Sequence, residues 1–314
     1  MLRTATLAAM AGACILGLVP DAAPLHKPAM SADKPFDRNL RRLRRDRAAK
    51  APDADRYLHR LAADELLERL ALVKRDFREA LNLGAADDHL KQGLEARGIK
   101  VTSADPGFVF ASRTGIQCDE DRLPFAEASF DLVTSVGTLD TVNDLPGALT
   151  LIRRALRPDG LLLAAFAGAG SLPRLRQAML AADAFEGGAA SPRIHPQIDV
   201  RAAGDLLVRA GFALPVVDSD RIVVRFSHMM NLVTDLRAAA ATNILAMRSP
   251  RPLGKEAVAA ALTDFASNAD AEGKTAETFE ILYLIGWAPA PDQPKPARRG
   301  SATHSLTGAL RPPR

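Results

Sequence analysis

The stretch "ALNLGAADDHLKQGLEARGIKVTSAD", Ala80 to Asp105, decides the fold. A short apolar run, Ala80–Leu83, ends at Gly84. A polar, helix-like segment follows over Asp87–Arg97, then a second strand-like run over Ile99–Ser103. Strand, glycine turn, helix and strand together have the shape of a nucleotide-binding turn. Such a turn usually carries several glycines; between Leu83 and His89 this chain has Gly84 alone.

The alternation continues outward. A loop leads to a short strand near Ile116–Cys118, then a strand over Phe130–Ser135, a helix over Leu145–Leu156 and a strand over Leu161–Phe166. Gly160, after Pro158-Asp159, reads as a tight turn into that strand. Strands alternating with helices predict an α/β fold: a parallel, Rossmann-like sheet with helices on both faces. Upstream, the arginine-rich stretch Phe36–Lys50 predicts a helix. A second runs from Pro52 through Leu61, Leu66, Leu70 and Val73, apolar at helical spacing. Downstream come helices over Leu172–Ala184 and Val200–Ala210. A bent strand or hairpin over Leu214–Asp218 and Arg221–Phe226 follows, then helical segments near Met229–Met247 and Lys255–Asn268. "TFEILYLIGW", Thr278–Trp287, is the final strand.

This gives a division into 1–35, leader or disordered; 36–78, N-terminal helices; 79–288, the α/β domain with a helical insertion at about 229–270; and 289–314, a disordered tail rich in Pro, Arg, Ser and Ala. The opening "MLRTATLAAMAGACILGLVP" resembles a secretory signal. The expectation taken is instead a start at Met30, where polar sequence begins, with residues 1–29 dispensable and the protein cytoplasmic.

The chain has 314 residues, 47% of them hydrophobic, which suits one domain with additions. Its formal net charge is +4, and six arginines fall in the ten positions 38–47. With the basic C-terminus set aside the middle is near neutral, and aromatics are 5%, so a nucleic-acid-binding face is not expected. Two cysteines, Cys14 and Cys118, suggest no stabilising disulfide and fit a reducing compartment. The six histidines show no metal-ligand spacing, so no zinc site is expected. The run is too short for a confident membrane span.

Two further stretches carry a resemblance. "DEDRLPFAEASFDLV", Asp119–Val133, and "LIRRALRPDGLLLAAF", Leu151–Phe166, resemble the acidic loop with its fourth strand and the following helix, turn and fifth strand of class I S-adenosylmethionine-dependent methyltransferases. "FDRNLRRLRRDRAA", "VNDLPGAL", "GSLPRLRQA", "LLVRAGFALPVVDSD" and "YLIGW" resemble bacterial relatives of the mitochondrial complex I assembly factor that has this fold. More distantly the chain resembles the malonyl-carrier-protein methyltransferase of biotin synthesis. The resemblance implies S-adenosylmethionine as cofactor.

In such sheets the ligand lies at the carboxyl ends of the strands, at the switch in strand order. The implied cofactor residues are Asn82, Gly84, Asp105, Asp119, Glu120 and Ser135. Gly84 would let the ligand lie against backbone. Asp105 would accept from the ribose hydroxyls, Asp119 would accept from the adenine amino group with Glu120 beside it in the site, and Ser135 would line the floor. The family loop has the form acid-x-Gly-x-Gly-x-Gly; here Asn82, Ala86 and Asp88 replace the acid and two glycines. Asp140-Thr141 stands where relatives often carry an aromatic pair. The arginine run has two readings: a solvated helix face with Leu40 and Leu43 turned inward, or one or two contacts to the pocket or an acidic partner.

Two functions remain open. One is a methyltransferase with a protein or small-molecule acceptor, its cofactor binding weakened at the methionine half, with no catalytic residue identifiable. The other is a respiratory complex I assembly factor, in its relatives associated with arginine hydroxylation, or a non-catalytic binding protein on the same fold.

Overall fold

The computed structural model describes residues 34–51, 55–84, 87–186, 190–294 and 301. Seven strands form one sheet: β1 Glu79–Leu83, β2 Lys100–Asp105, β3 Gly115–Gln117, β4 Phe130–Val136, β5 Leu156–Ala167, β6 Ala213–Phe226 and β7 Thr275–Trp287. Their order is β3-β2-β1-β4-β5-β7-β6. β1 pairs parallel with β2 and β4, β2 with β3, and β4 with β5, while β7 is antiparallel to both β5 and β6. The order reverses between β1 and β4, which fixes the site at that end of the sheet.

The central strands are apolar on both faces because helices cover both. The helices are α1 Arg38–Ala49, α2 Tyr57–Leu72, α3 His89–Glu95, α4 Phe108–Thr114, α5 Leu145–Ala155, α6 Pro173–Phe185, α7 Val200–Arg209, α8 Met229–Ala238 and α9 Lys255–Ser267. Leu66 and Leu70 of α2, Leu94 of α3, Ala178 of α6 and Phe265 of α9 share one core with Leu132, Leu161 and Leu163. Leu149 and Ile152 of α5 and Leu207 of α7 share the opposite core with Leu81, Leu83, Val133 and Leu162. Successive strand residues thus feed opposite cores, and each buried Leu contributes roughly 1.5–3 kcal/mol.

Caps fix the helix entries. Asp144 accepts from Gly147 N (2.8 Å) at α5, and Asp199 from Ala202 N (2.7 Å) at α7. α6 starts at Leu172 with φ 62° and no side-chain cap of its own. The fully buried Glu277 of β7 serves instead, accepting from Leu175 N (2.8 Å) and Arg174 N (3.2 Å). Arg56 does the converse job at helix ends, donating to Ala48 O (2.7 Å) and Ala238 O (3.1 Å).

Several expectations change. The loop after β2 contains α4, hidden because seven residues show little periodicity and Phe108 points out, 62% exposed. The alternatives for 214–226 resolve to one bent strand: β6 pairs with β7 along its length, with a register shift between Ala213 and Val216. The segment near Met229–Met247 is helical only to Ala238, since Ala240 takes φ 56°. β5 begins at Leu156, with Asp159 at φ 62° inside the expected turn. The helix expected from Pro52 is observed from Tyr57; residues 52–54 lie outside the described residues. The leader, Cys14, Ala86 and most of the expected tail also lie outside them.

Candidate active site

α1 crosses the carboxyl ends of β2 and β3, and its burial reverses the first reading of the arginine run. Arg38, Arg41, Arg42 and Arg45 stand at i, i+3, i+4 and i+7, the spacing of one helix face. That face looks inward. Arg41 and Arg45 are buried, 5% and 4% exposed, whereas Leu43 is 44% exposed. The solvated-face reading, with Leu43 inward, therefore fails; Leu40 does pack, against the cluster of Phe36, Ile244 and Leu245.

The cause is charge. Arg45 forks onto Asp105, Nε to Oδ1 at 2.8 Å and Nη2 to Oδ2 at 2.5 Å. Arg41 forks onto Glu120 at 2.7 and 2.9 Å and also donates to Thr138 O at 2.9 Å. Arg38 forks onto Asp121 at 2.7 Å twice, and with Arg42 it holds Asp119 Oδ2 at 2.8 and 2.5 Å. Four guanidinium groups thus face four carboxylates. Bidentate, charge-assisted bonds make such burial tolerable; a single unpaired member would be costly.

Each expected cofactor residue has a definite place. Asp105, Asp119 and Glu120 come together under α1. Asp105 is fully buried, and its Oδ1 also accepts from Gly107 N at 2.7 Å. Asp119 Oδ1 has no hydrogen-bond partner, its nearest cation being Arg41 Nη1 at 3.9 Å. Asn82 and Ser135 lie in the sheet: Asn82 Oδ1 accepts from Thr134 Oγ1 (3.2 Å), and Ser135 Oγ bonds Thr138 Oγ1 (3.0 Å). Gly84 turns with φ +78°, and a Cβ there would lie 2.2 Å from Thr138 Cγ2. Self-packing against Thr138 thus requires this glycine, a reason other than the expected approach of a ligand.

The resemblance gives the carboxylate after β2 the part of acceptor for two ribose hydroxyls. Asp105 offers about four lone-pair positions. Three are taken, two by Arg45 and one by Gly107 N. The residue types suit the cofactor; the seated α1 does not leave them free for it.

A cavity of about 260 Å³ lies beyond the ends of β4 and β5, lined by Leu58, His59, Gly137, Asp140, Phe166, His195 and Phe279 among others. Its wall is mostly apolar. Sequence reasoning missed it because its lining comes from segments far apart in the chain. His59 passes over Gly137, where an added Cβ would lie 2.5 Å from Nε2. His59 Nε2 and Asp140 Oδ1 are buried atoms without a partner. Burial, reinforced by the nearby Arg45, lowers His59 to about 4, and burial lifts Asp140 to about 6. Burial also lowers His195 to about 4; its Nε2 accepts from Ile244 N at 3.1 Å, and its ring meets Phe36 edge-on. Both histidines are neutral near pH 7. Arg193 is tied to Asp183, so its charge is compensated.

Among the described residues, no group of three His, Cys, Asp or Glu is placed to hold a metal ion, and no helix is long and apolar enough to cross a membrane.

Comparison with known proteins agrees with this fold. Residues 81–164 match the model of a methyltransferase domain. The human mitochondrial arginine-hydroxylase NDUFAF5 is 34% identical over 282 residues, 86% of this chain and 82% of the relative. The malonyl-[acyl-carrier protein] O-methyltransferase of Laribacter hongkongensis is 32% identical over 269 residues, covering 78% and 87%. A solved structure of a candidate methyltransferase from Bacillus halodurans C-125 superposes with TM-score 0.50 at 16% identity, over 72% of this chain and 100% of that one. With a sheet of this order, acids at the ends of β2 and β3 and relatives covered over most of their length, the chain belongs to the class I S-adenosylmethionine-dependent methyltransferase superfamily, in the group that holds these two kinds of relative.

Proposed function

We propose that the protein is an S-adenosylmethionine-dependent methyltransferase whose acceptor enters the apolar cavity beside Gly137. The observation that carries this is the adjacency of two features at one end of the sheet. Carboxylates stand after consecutive strands, Asp105 after β2 and Asp119 with Glu120 after β3, and the cavity opens beyond β4. The cofactor, when bound, would supply a methyl group on an already reactive sulfonium, so the chain has chiefly to bind, orient and exclude water. Asn82, Gly84 and Ser135 are the floor of that site, and Asp105, Asp119 and Glu120 its polar wall. Leu58, Phe166 and Phe279 suit an apolar acceptor group. His59 and Asp140 offer it the polar atoms left without partners.

Residues 79–288 are taken as the catalytic domain, with α8 and α9 as its insertion. The buried free thiol of Cys118 fits a reducing compartment, here assigned as the cytoplasm. The acceptor is a protein side chain or a small molecule. The likeness to NDUFAF5 favours, as a second reading, an assembly role on a respiratory complex subunit, and the engaged Asp105 supports it.

Calorimetric titration with S-adenosylmethionine and S-adenosylhomocysteine separates the two. Saturable binding of both supports the methyltransferase. No heat and no change in melting temperature with either ligand would refute it in favour of the assembly role.

A further inference from the structure

Resting on the cofactor reading above, we infer that α1 is a built-in competitor of the cofactor: its arginines occupy the nucleoside subsite, and the nucleoside binds only when α1 gives way. The two occupants need the same oxygens. Asp105 spends both on Arg45, and Glu120 spends both on Arg41. A ribose diol cannot be satisfied by the one lone pair Asp105 has left.

Side-chain swinging alone does not clear the subsite. The side chains of Arg38 and Arg42 are 22% and 38% exposed and can turn to solvent. Those of Arg41 and Arg45 are 6% and 4% exposed and are held against the body of the protein. The helix backbone is also close: a Cβ on Gly107 would lie 2.8 Å from Arg45 Cβ. Freeing Asp105 therefore means shifting α1 from the turn after β2.

α1 is held down by this charge lattice, by Asp46 accepting from Val109 N (2.8 Å) and by Arg56 donating to Ala48 O (2.7 Å). Its apolar contacts are two small clusters at its ends, Ala48 and Ala49 with Phe110, and Leu40 with Phe36, Ile244 and Leu245. A helix seated by ion pairs against the groups its competitor needs forms a two-state device. By linkage, whatever unseats α1 tightens the nucleoside, and the nucleoside unseats α1 to the same degree.

The test is Arg45→Gln, titrated with S-adenosylhomocysteine beside the parent protein. The competitor predicts about tenfold tighter binding by the variant. Equal or weaker binding, with the parent binding normally, overturns the competitor and leaves the cofactor reading standing. Absence of binding by both proteins overturns both. Should Arg45→Gln fail to fold, hydrogen exchange of the parent decides. Saturation with S-adenosylhomocysteine should speed exchange of the α1 amides, and unchanged or slowed exchange there overturns the competitor.

Discussion

Replacing Gly84 by alanine tests why the turn after β1 carries a glycine. The backbone there has φ +78°, and an added Cβ would sit 2.2 Å from Thr138 Cγ2, 2.7 Å from Oγ1 and 3.0 Å from Cβ. The left-handed conformation costs an alanine roughly 1–2 kcal/mol. Thr138 is fully buried and hydrogen-bonded to Ser135, so it cannot step aside freely, and overpacking of this kind costs about 1–3 kcal/mol. Gly84→Ala should therefore destabilise by about 2–5 kcal/mol. The second arm is Thr138→Ala, which removes the two nearest atoms and loses one hydrogen bond, about 1 kcal/mol. In the double variant the overpacking largely vanishes while the backbone strain stays. Its cost should fall short of the sum of the single costs by about 1–3 kcal/mol. Urea unfolding followed by far-ultraviolet circular dichroism measures all four proteins. A Gly84→Ala cost within about 0.5 kcal/mol of zero, or costs that simply add, would refute self-packing as the reason for this glycine.

Stability should fall on acidification from pH 6.5 towards 4. There the unfolded chain protonates His59 and His195, both lowered to about 4 by burial, and the folded chain does not. Each contributes at most ~1.4 kcal/mol per pH unit. Asp140, raised to about 6, works in the opposite sense between there and its unfolded value, since the folded state holds its proton longer. His195→Phe should make the acid limb shallower in a pH series of urea melts, and an unchanged slope would contradict the buried neutral imidazole. Glu277→Ala should cost about 2–4 kcal/mol by leaving the amides that open α6 unpaired, with Glu277→Gln closer to the parent in thermal melts. A variant as stable as the parent would remove Glu277 as the cap. Cys118 is pushed up to about 12 by burial with Glu120 and Asp119 adding to it, so in a Cys14→Ser background it should resist dithiobisnitrobenzoate until urea unfolds the protein. Prompt native-state labelling would contradict its burial.

The sheet was legible because buried parallel strands read as apolar runs, as in Leu81–Leu83 and Leu161–Phe166, separated by turns. α4 was not, being one short helix behind Pro106-Gly107. The site was half legible. Asp105, Asp119 and Glu120 do meet at the expected strand ends, but they meet arginines. Periodicity rules turn leucine inward and arginine outward, so they placed Leu43 on the wrong side. The corrective signal was present as the i, i+3, i+4, i+7 stripe of arginines. Its partners lie 60 to 83 positions away, in β2 and the loop after β3, and such pairing has no local trace. His59 was invisible for the same reason, and Asp140 stood out only as a missing aromatic: a cavity exists only where α2, β4 and the segment around His195 converge. Asp105→Ala does not test ribose binding alone, because that substitution also strands Arg45 as a buried unpaired cation.

The position of β7 bears on synthesis. It is the last strand among the described residues, yet it lies between β5 and β6. On the ribosome, β1 to β5 can zip together in the order in which they emerge, but β6 then waits with no neighbour. Its partner residues, from Thr275 to Trp287, appear only about fifty residues later than Phe226. Until then β5 presents a bare edge and β6 a free strand, the two features most prone to pairing with another copy. Completion of the sheet is thus a late, non-local event, slow for its size. A message that stops short of codon 275 should yield no half-working domain. Its product is expected in inclusion bodies or as protease fragments.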